Sequence, residues 1–216
     1  MTDGTLRLLV ESSPKKVFVV ALDWPGLARS GKDEAAAVDA LLAHLGRYRP
    51  IARAAGEDLP AGDLTLDVVE RAEGGGGTAF GVPSEIVRAD REKVTPARAR
   101  RNAALVEAAW AAFDRIAEAA PETLRKGPRG GGRDTAKIVG HVTEADSAYA
   151  REMGLRHDPK DRAAVEAMRA EMLDVLRKPS DGSPLADRRW TARYAARRVA
   201  WHALDHAWEL EDRTEP

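Results

Sequence analysis

The sequence predicts an α+β N-terminal unit, in the order strand, strand, helix, strand, followed by an all-α four-helix bundle. Short apolar segments rich in β-branched residues dominate the first third of the chain, whereas four long amphipathic segments follow residue 95. A glycine-rich stretch between them is expected to be a flexible linker or an exposed turn. We therefore predict a small α+β domain at 1–80, a linker at 81–95 and a helical bundle at 96–216.

The N-terminal unit carries turn and cap signals. Trp24-Pro25-Gly26 should end the second strand as a turn. Asp33 is the expected N-cap of the helix that follows, and Pro50 is expected to kink or end that helix near Arg49. The predicted strands are LRLLVES (6–12), KVFVVALD (16–23) and LTLDVVERA (64–72).

The bundle helices begin at residues that commonly cap helices. Thr95 precedes Pro96, and proline is favoured at the first helical position. Asp134 should cap the second helix, and Asp158-Pro159 should start the third. The fourth helix is RRWTARYAARRVAWHALDHAWELED, whose aromatic side chains are expected to pack in the core rather than form a substrate cage.

Composition excludes several classes of function. The 216-residue chain has a formal net charge of −1, which gives no overall field for a phosphate backbone, so no nucleic-acid partner is expected. The chain has no cysteine, so thiol chemistry requires an external thiol. No signal peptide is evident, and no stretch approaches the roughly 20 apolar residues that span a bilayer. We therefore expect a cytoplasmic protein without a membrane partner, with a small-molecule substrate and a homodimer as candidate partners.

Three of the five histidines are placed to meet one another. His202 and His206 are four residues apart on the fourth helix, so both imidazoles share one helical face. His141 lies on the apolar stripe of the second helix, which should face the interior. Three such ligands with one open position form the arrangement of a catalytic zinc site. The same spacing also fits a hydrogen-bonded structural pair.

Two segments resemble helices of the DinB-like superfamily. RRVAWHALDHAWELEDR (197–213) is similar to its last helix, where a W-H-x-x-x-H pattern supplies two metal ligands. HVTEADSAYAREM, which begins at His141, is similar to its second helix, which begins with the remaining ligand histidine. The resemblance implies an antiparallel four-helix bundle with a long crossover and a metal at one end of the core. It also implies a relationship to thiol-dependent transferases and isomerases, of the mycothiol-dependent maleylpyruvate isomerase type.

The cofactor that we expect is one divalent metal ion. Zinc is the first expectation, and nickel, iron and copper also suit imidazole ligands. Glu144, three residues after His141, is the candidate catalytic residue: it can orient a ligand, add a fourth ligand or act as a general base, or it can be a solvated surface side chain. Asp205 and Glu209 can accept an imidazole N–H or pair with nearby arginines in solvent.

Two further features have open interpretations. The basic run RKGPRGGGR (125–133) either connects two helices or holds an anionic substrate group near the bundle mouth. His44 and His157 lie in other sequence contexts and are expected to be surface or structural residues.

The N-terminal unit resembles the HicB-type antitoxin fold more weakly. In that family a strand ends in a PG-containing turn, and a short polar stretch then leads into a helix that begins D/E-E-A. Here the matching residues are Trp24-Pro25-Gly26-Leu27 and Gly31-Lys32-Asp33-Glu34-Ala35. No DNA-binding segment accompanies this unit, so a scaffold or dimerisation role is expected instead of antitoxin activity.

Two functions follow from these observations. The first is a metal-dependent enzyme, a thiol-dependent transferase or isomerase that acts on a small molecule with an exogenous low-molecular-weight thiol. The second is a non-catalytic ligand-binding or protein-interaction module with a structural or vestigial metal site.

Overall fold

The computed structural model describes residues 4–126 and 132–214 and shows an α+β protein. No helix in these ranges is both long enough and apolar enough to cross a membrane. The strands are β1 (Thr5–Ser12), β2 (Val17–Ala21), β3 (Ala28–Gly31) and β4 (Thr65–Glu73). The helices are α1 (Glu34–Ala43), α2 (Leu45–Ala54), α3 (Gly76–Phe80), α4 (Pro96–Ala119), α5 (Thr135–Glu152), α6 (Arg162–Leu176) and α7 (Ala192–Thr214).

The four strands form one mixed sheet in the order β3-β2-β1-β4. β1 is antiparallel to β2 and parallel to β4, and β2 is antiparallel to β3. Leu8 and Val19 belong to the core shared with α1 and α2, whereas Phe18 and Val20 pack with residues 82–89 and with α7. Because both faces of the sheet are covered, β1 and β2 have nearly continuous apolar sequences.

The N-terminal helix differs from the prediction that Pro50 kinks or ends it near Arg49. The helix ends earlier, at His44, whose backbone N–H donates to the Leu41 carbonyl at 3.1 Å. Pro50 then lies inside α2, where it lacks the N–H that would continue the helical ladder. Burial of Tyr48 and Ile51 on the same helix offsets this loss. The short strand β3 was not predicted, because ARSG lacks apolar alternation.

The glycine-rich stretch was expected to be a linker or turn, but it contains the short helix α3. Its anchor is Glu11 on β1, which is fully buried. The Glu11 carboxylate accepts hydrogen bonds from the Thr78 hydroxyl and from the backbone N–H groups of Ser84 (2.9 Å) and Glu85 (3.2 Å). One buried carboxylate therefore holds the segment against the sheet.

The predicted helix caps are confirmed in part. Asp33 and Thr95 each accept a hydrogen bond from a backbone N–H three residues on, at 2.8 and 3.2 Å. Asp134 occupies the N-cap position of α5, but its carboxylate accepts the N–H of Leu124 instead, at 3.4 Å. That bond ties the start of α5 to the chain that leaves α4.

Two helix starts lie further along the chain than predicted. α6 begins at Arg162 rather than at Pro159, because the Asp161 carboxylate accepts the Ala164 N–H at 2.9 Å and caps the helix there. α7 begins at Ala192, since the preceding residues form a turn closed by pairing of 184 with 191.

The four long helices pack on one another. α4 contacts α6 and α7, and α5 contacts the same two helices. Arg169 on α6 ties three of them together, because its guanidinium donates to Asp146 on α5 (3.0 Å) and to Asp114 on α4 (2.9 Å). Burial raises the pKa of Asp146 to about 6 even though Arg169 lowers it.

α7 lies at the centre of the molecule. Every residue from Thr191 to Leu204 is buried, including three arginines and a histidine. The Trp24-Pro25-Gly26 turn packs directly on this helix: Gly26 has a φ of +96°, and a Cβ there would lie 2.7 Å from Leu204 Cδ1. The N-terminal sheet and the long helices therefore share one hydrophobic core. The division at 1–80, 81–95 and 96–216 stays a prediction about folding units.

The segment predicted as a linker is fixed to α7 by a buried ion pair. Arg197 donates from Nε and Nη2 to the two carboxylate oxygens of Asp90, both at 2.7 Å. Asp90 also accepts the Val87 N–H at 3.0 Å, and Arg197 donates to the Glu85 carbonyl at 2.6 Å. The carboxylate and the guanidinium are both almost fully buried, so neither can exchange its partner for water.

We expect Asp90→Ala to lower the free energy of unfolding by about 3–5 kcal/mol, because it leaves Arg197 buried without a counter-charge. Chemical denaturation followed by circular dichroism measures this change. Glu34→Ala, which removes an exposed carboxylate from Arg71, is the control and should change stability far less. Equal effects of the two variants would contradict the assignment of the Asp90 pair as the tether.

Candidate metal centre

Three histidines predicted from the sequence come together between α5 and α7. His141 projects from α5, and His202 and His206 project from α7, and one ring nitrogen of each lies within 4.8 Å of the others. The Nε2 atoms of His141 and His202 are 3.3 Å apart. The ring centroids are separated by 4.7–5.1 Å. We call these three residues the histidine cluster.

The distance between His141 Nε2 and His202 Nε2 fits two ligands of one metal ion better than a strong hydrogen bond. A tetrahedral zinc with Zn–N bonds of about 2.0–2.1 Å places two ligand nitrogens about 3.3–3.4 Å apart. The Nε2 separation of 3.3 Å between His141 and His202 matches this value. A hydrogen bond between two ring nitrogens would favour a shorter distance, near 2.9–3.0 Å.

The electrostatics at His202 and His141 favour the neutral imidazole, which is the form that binds metals. His202 is 6% exposed, and burial lowers its pKa to about 2, with further lowering from His206, Arg198, His141 and Arg133. Burial also lowers the pKa of His141. Both side chains are therefore uncharged near neutral pH, with a nitrogen lone pair available to a cation.

A carboxylate orients one of the three rings. Nδ1 of His206 donates to Glu209 at 2.8 Å, which leaves Nε2 free for a metal. Glu209 also accepts from Arg213 at 3.0 Å, and the hydrogen bonds from His206 and Arg213 hold its pKa below the ordinary value. Asp205 instead pairs with Arg29 at 2.9 Å. Glu209 thus accepts from both an imidazole and an arginine, whereas Asp205 pairs with an arginine.

Aromatic side chains border the cluster on the α5 and α7 sides. The Tyr149 ring meets His202 edge-on at a centroid distance of 5.6 Å, and Trp201 lies 6.1 Å from the same ring. Three of the four aromatic residues predicted to pack along α7 are buried, and Trp190 is half-buried against Tyr149. Such surroundings limit the access of water to His202, the buried member of the cluster.

Glu144 does not join the histidine cluster. Its side chain is exposed and lines a groove of about 530 Å³ between α4, α5 and α6. Among the described residues, the cluster consists of histidines alone. Glu144 still acts on the site at a distance, since its charge opposes the lowering of the His141 pKa. A role for Glu144 as ligand, orienting group or general base stays a prediction.

The two remaining histidines do not belong to the histidine cluster. His44 joins α1 to α2, and its Nδ1 donates to the Ala40 carbonyl at 2.8 Å. His157 lies 3.1 Å from the Glu171 carboxylate. The basic run at 125–133 falls largely outside the described residues, because 127–131 are not among them. The charge of Arg133, at its end, lowers the pKa of His202 and of His141, and the Arg133 carbonyl accepts from Arg213 at 2.7 Å.

Comparison with known proteins gives no relative. No protein-family model matches the chain. No curated protein and no solved structure matches it either. The geometry of the histidine cluster is therefore the basis for any proposed function.

Proposed function

We propose that this protein is a divalent-metal-dependent enzyme in which the histidine cluster holds one metal ion. The convergence of three imidazole nitrogens, with His141 Nε2 and His202 Nε2 at 3.3 Å, is the observation that carries the proposal. Zinc is the metal that these ligands suit first, and nickel or iron also fit. Three protein ligands leave a tetrahedral ion one position short, which is typical of catalytic rather than structural zinc sites.

The chain's own residues prepare the site for this role. Glu209 fixes the ring orientation and tautomer of His206, as a carboxylate commonly does for a metal-bound imidazole. Burial and nearby cations keep His202 neutral, so a metal does not compete with a proton for its nitrogen near neutral pH. Arg169 holds α5, and with it His141, against α4 and α6.

The four long helices and the ligand positions also support membership of the DinB-like superfamily as a proposal. Its pattern requires one histidine from the second bundle helix and a W-H-x-x-x-H pair from the last, and α5 and α7 carry these residues. The HicB-type assignment of residues 1–80 likewise remains a proposal, supported by the turn at Trp24-Pro25-Gly26 and by α1 starting after Asp33.

Within this proposal the reaction is a thiol-dependent transfer or isomerisation of a small molecule. A bound divalent ion with an open position supplies Lewis acidity and lowers the pKa of the group that occupies that position. The chain has no cysteine, so the thiol comes from outside. The alternative is a binding module whose metal site has no catalytic role, and the experiments below distinguish the two.

We expect wild-type protein, purified without a histidine tag, to bind about one zinc per chain, and His202→Ala to lower zinc affinity at least about tenfold. Circular dichroism should show nearly unchanged helix content, because a chain of this length has its own apolar core. Zinc content by elemental analysis and affinity by competition with a chromogenic chelator provide the measurement.

His157→Ala is the matched control, because its imidazole bonds to Glu171 away from the cluster. It should retain wild-type zinc content. Loss of zinc from both variants, or from neither, would remove the histidine cluster as the binding site. Failure of His202→Ala to fold would make the site structural.

Cobalt substitution tests the thiol-dependent reaction class. We expect millimolar concentrations of a small thiol to produce a charge-transfer band that only sulfur–cobalt coordination gives, since thiolates compete well with water for such ions. The chain has no cysteine, so the band can arise only from the added thiol.

The matching thioether, which cannot form a thiolate, should give no such band. His141→Ala should also lack it, whereas His157→Ala should retain it. If the wild-type cobalt protein shows no spectral change with thiol, the non-catalytic binding module becomes the better account.

A further inference from the structure

The groove between α4, α5 and α6 is separate from the histidine cluster. Gly140, Thr143 and Glu144 line the groove, whereas His141, on the same helix, points toward α7 and lies 3.3 Å from His202. The groove and the cluster therefore lie on different sides of α5. The volume of the groove, about 530 Å³, falls within the range of pockets that hold small molecules, about 300–1,000 Å³.

Apolar side chains form much of the groove wall. They come from all three helices and from the chain that leads into α6: Phe113, Ala117, Val139, Pro159 and Val165. Val139 is 37% exposed, and it is one of two large apolar side chains that are exposed among the described residues. Covering such surface with an apolar group is favourable, so the groove suits a ligand with a hydrocarbon body.

The charged side chains around the groove favour a cation over an anion. Three bases line it, namely Lys160, Arg162 and Arg169, together with five carboxylates: Asp114, Glu118, Glu144, Asp161 and Glu166. Five negative and three positive groups give this lining a formal charge of −2. A concave site with an excess of one charge attracts ligands of the opposite charge.

The two arginines of the groove are already held by carboxylates. Each donates to two of them at 2.7–3.0 Å: Glu118 and Glu166 for Arg162, and Asp114 and Asp146 for Arg169. Lys160, the third base, lies 3.6 Å from Asp158. An anionic ligand would have to displace one of these carboxylates, and the pair of Arg169 with Asp146 is buried.

Glu144 is the carboxylate that the groove leaves for a ligand. Three of the other four pair with the arginines, and Asp161 caps α6 by accepting the Ala164 N–H at 2.9 Å. Glu144 is exposed and has no ion pair within residues 4–126 and 132–214. Gly140 lies one turn before it, and a Cβ there would meet nothing within 4 Å. The space beside the Glu144 turn of α5 is therefore open.

We propose that the groove binds a small primary amine with an apolar body. Its ammonium group donates to Glu144, and its hydrocarbon part covers Val139 and Val165. An ammonium with N–H groups suits a carboxylate, whereas a quaternary ammonium is typically held by several aromatic faces. Phe113 is the one aromatic side chain in the described lining of the groove. The site needs no metal, so it goes beyond the proposed function and does not depend on it.

Binding of phenethylamine tests the proposal. Phenethyl alcohol is the neutral molecule of similar shape, and hydrocinnamate is the anionic one. Titrations in an amine-free buffer, followed by heteronuclear NMR of the backbone amides, should shift the resonances of Gly140 and Thr143. We expect both analogues to bind at least about fivefold more weakly than the amine. Equal affinity for the amine and the anion, shifts confined to amides outside the groove, or no amine binding at tens of millimolar overturns the proposal.

Three variants locate the amine. Glu144→Gln removes the charge with little change of shape and should weaken phenethylamine binding at least about fivefold. Glu152→Gln is the matched control, because it makes the same change on α5 outside the groove lining, and it should bind like the wild type. Val139→Arg places a cation in the groove from an exposed position and should weaken binding at least as much as Glu144→Gln. Circular dichroism should show unchanged helix content in all three.

Equal affinities of Glu144→Gln and Glu152→Gln, or wild-type affinity of Val139→Arg, would mean that the amine binds elsewhere and would overturn the proposal.

Metal removal separates this inference from the proposed function. Phenethylamine affinity and its dependence on Glu144 should be the same with zinc and after treatment with EDTA. If binding disappears with the metal and in His202→Ala but survives Glu144→Gln, the amine is a ligand of the metal, and the groove proposal fails while the metal proposal stands. If the protein binds no zinc but still binds the amine through Glu144, the metal proposal fails and the groove proposal stands.

Discussion

The burial of residues 192–204 of α7 on all sides is the constraint on which the rest of the structure depends. A helix surrounded by protein must be apolar all round, or its polar groups must be satisfied by neighbours. The sheet and residues 82–91 cover one side of α7, and the other long helices cover the rest. Arg193 and Arg197 meet the constraint through carboxylates that come from outside the bundle helices: Asp23, Asp90 and Glu92.

The candidate site lies where buried polar groups of α7 lack a partner among the described residues. Among residues 4–126 and 132–214, Arg198 has no carboxylate partner and the buried Nδ1 of His202 has no acceptor. His202 belongs to the histidine cluster, and Arg198 lies one helical turn before it on α7. Unpaired polar groups in a core reduce stability, and their concentration at one place is typical of a binding or catalytic site rather than of a scaffold. The burial of α7 thus links the fold to the proposed chemistry.

The sequence predicted the local features of this fold and not the tertiary ones. The i, i+4 spacing of His202 and His206 and the apolar stripe of His141 are local, so their convergence could be expected. The partner of Glu209 could not be predicted, because both an imidazole and Arg213 lie within its reach. In the structure it bonds to both. Arg198 resembles its neighbours in sequence, and only the folded core shows that it lacks a carboxylate partner within the described part of the chain.

The errors in the predicted fold also arise from tertiary contacts that the local sequence does not reveal. Pro50 and the glycine-rich stretch are strong local breakers, yet buried contacts at Tyr48 and at Glu11 override them. β3 is too short and polar to predict, and it exists because β2 offers an edge for it.

X-ray absorption at the zinc K-edge of the wild-type protein with one equivalent of zinc tests the central claim most directly. Imidazole rings produce a characteristic multiple-scattering signal, so the spectrum reports how many histidines bind. We predict three imidazole nitrogens at about 2.0–2.1 Å and one further light atom in the open position. A spectrum with at most one imidazole, and with oxygen atoms in the remaining positions, would mean that zinc binds surface carboxylates and that the histidine cluster is not a metal centre.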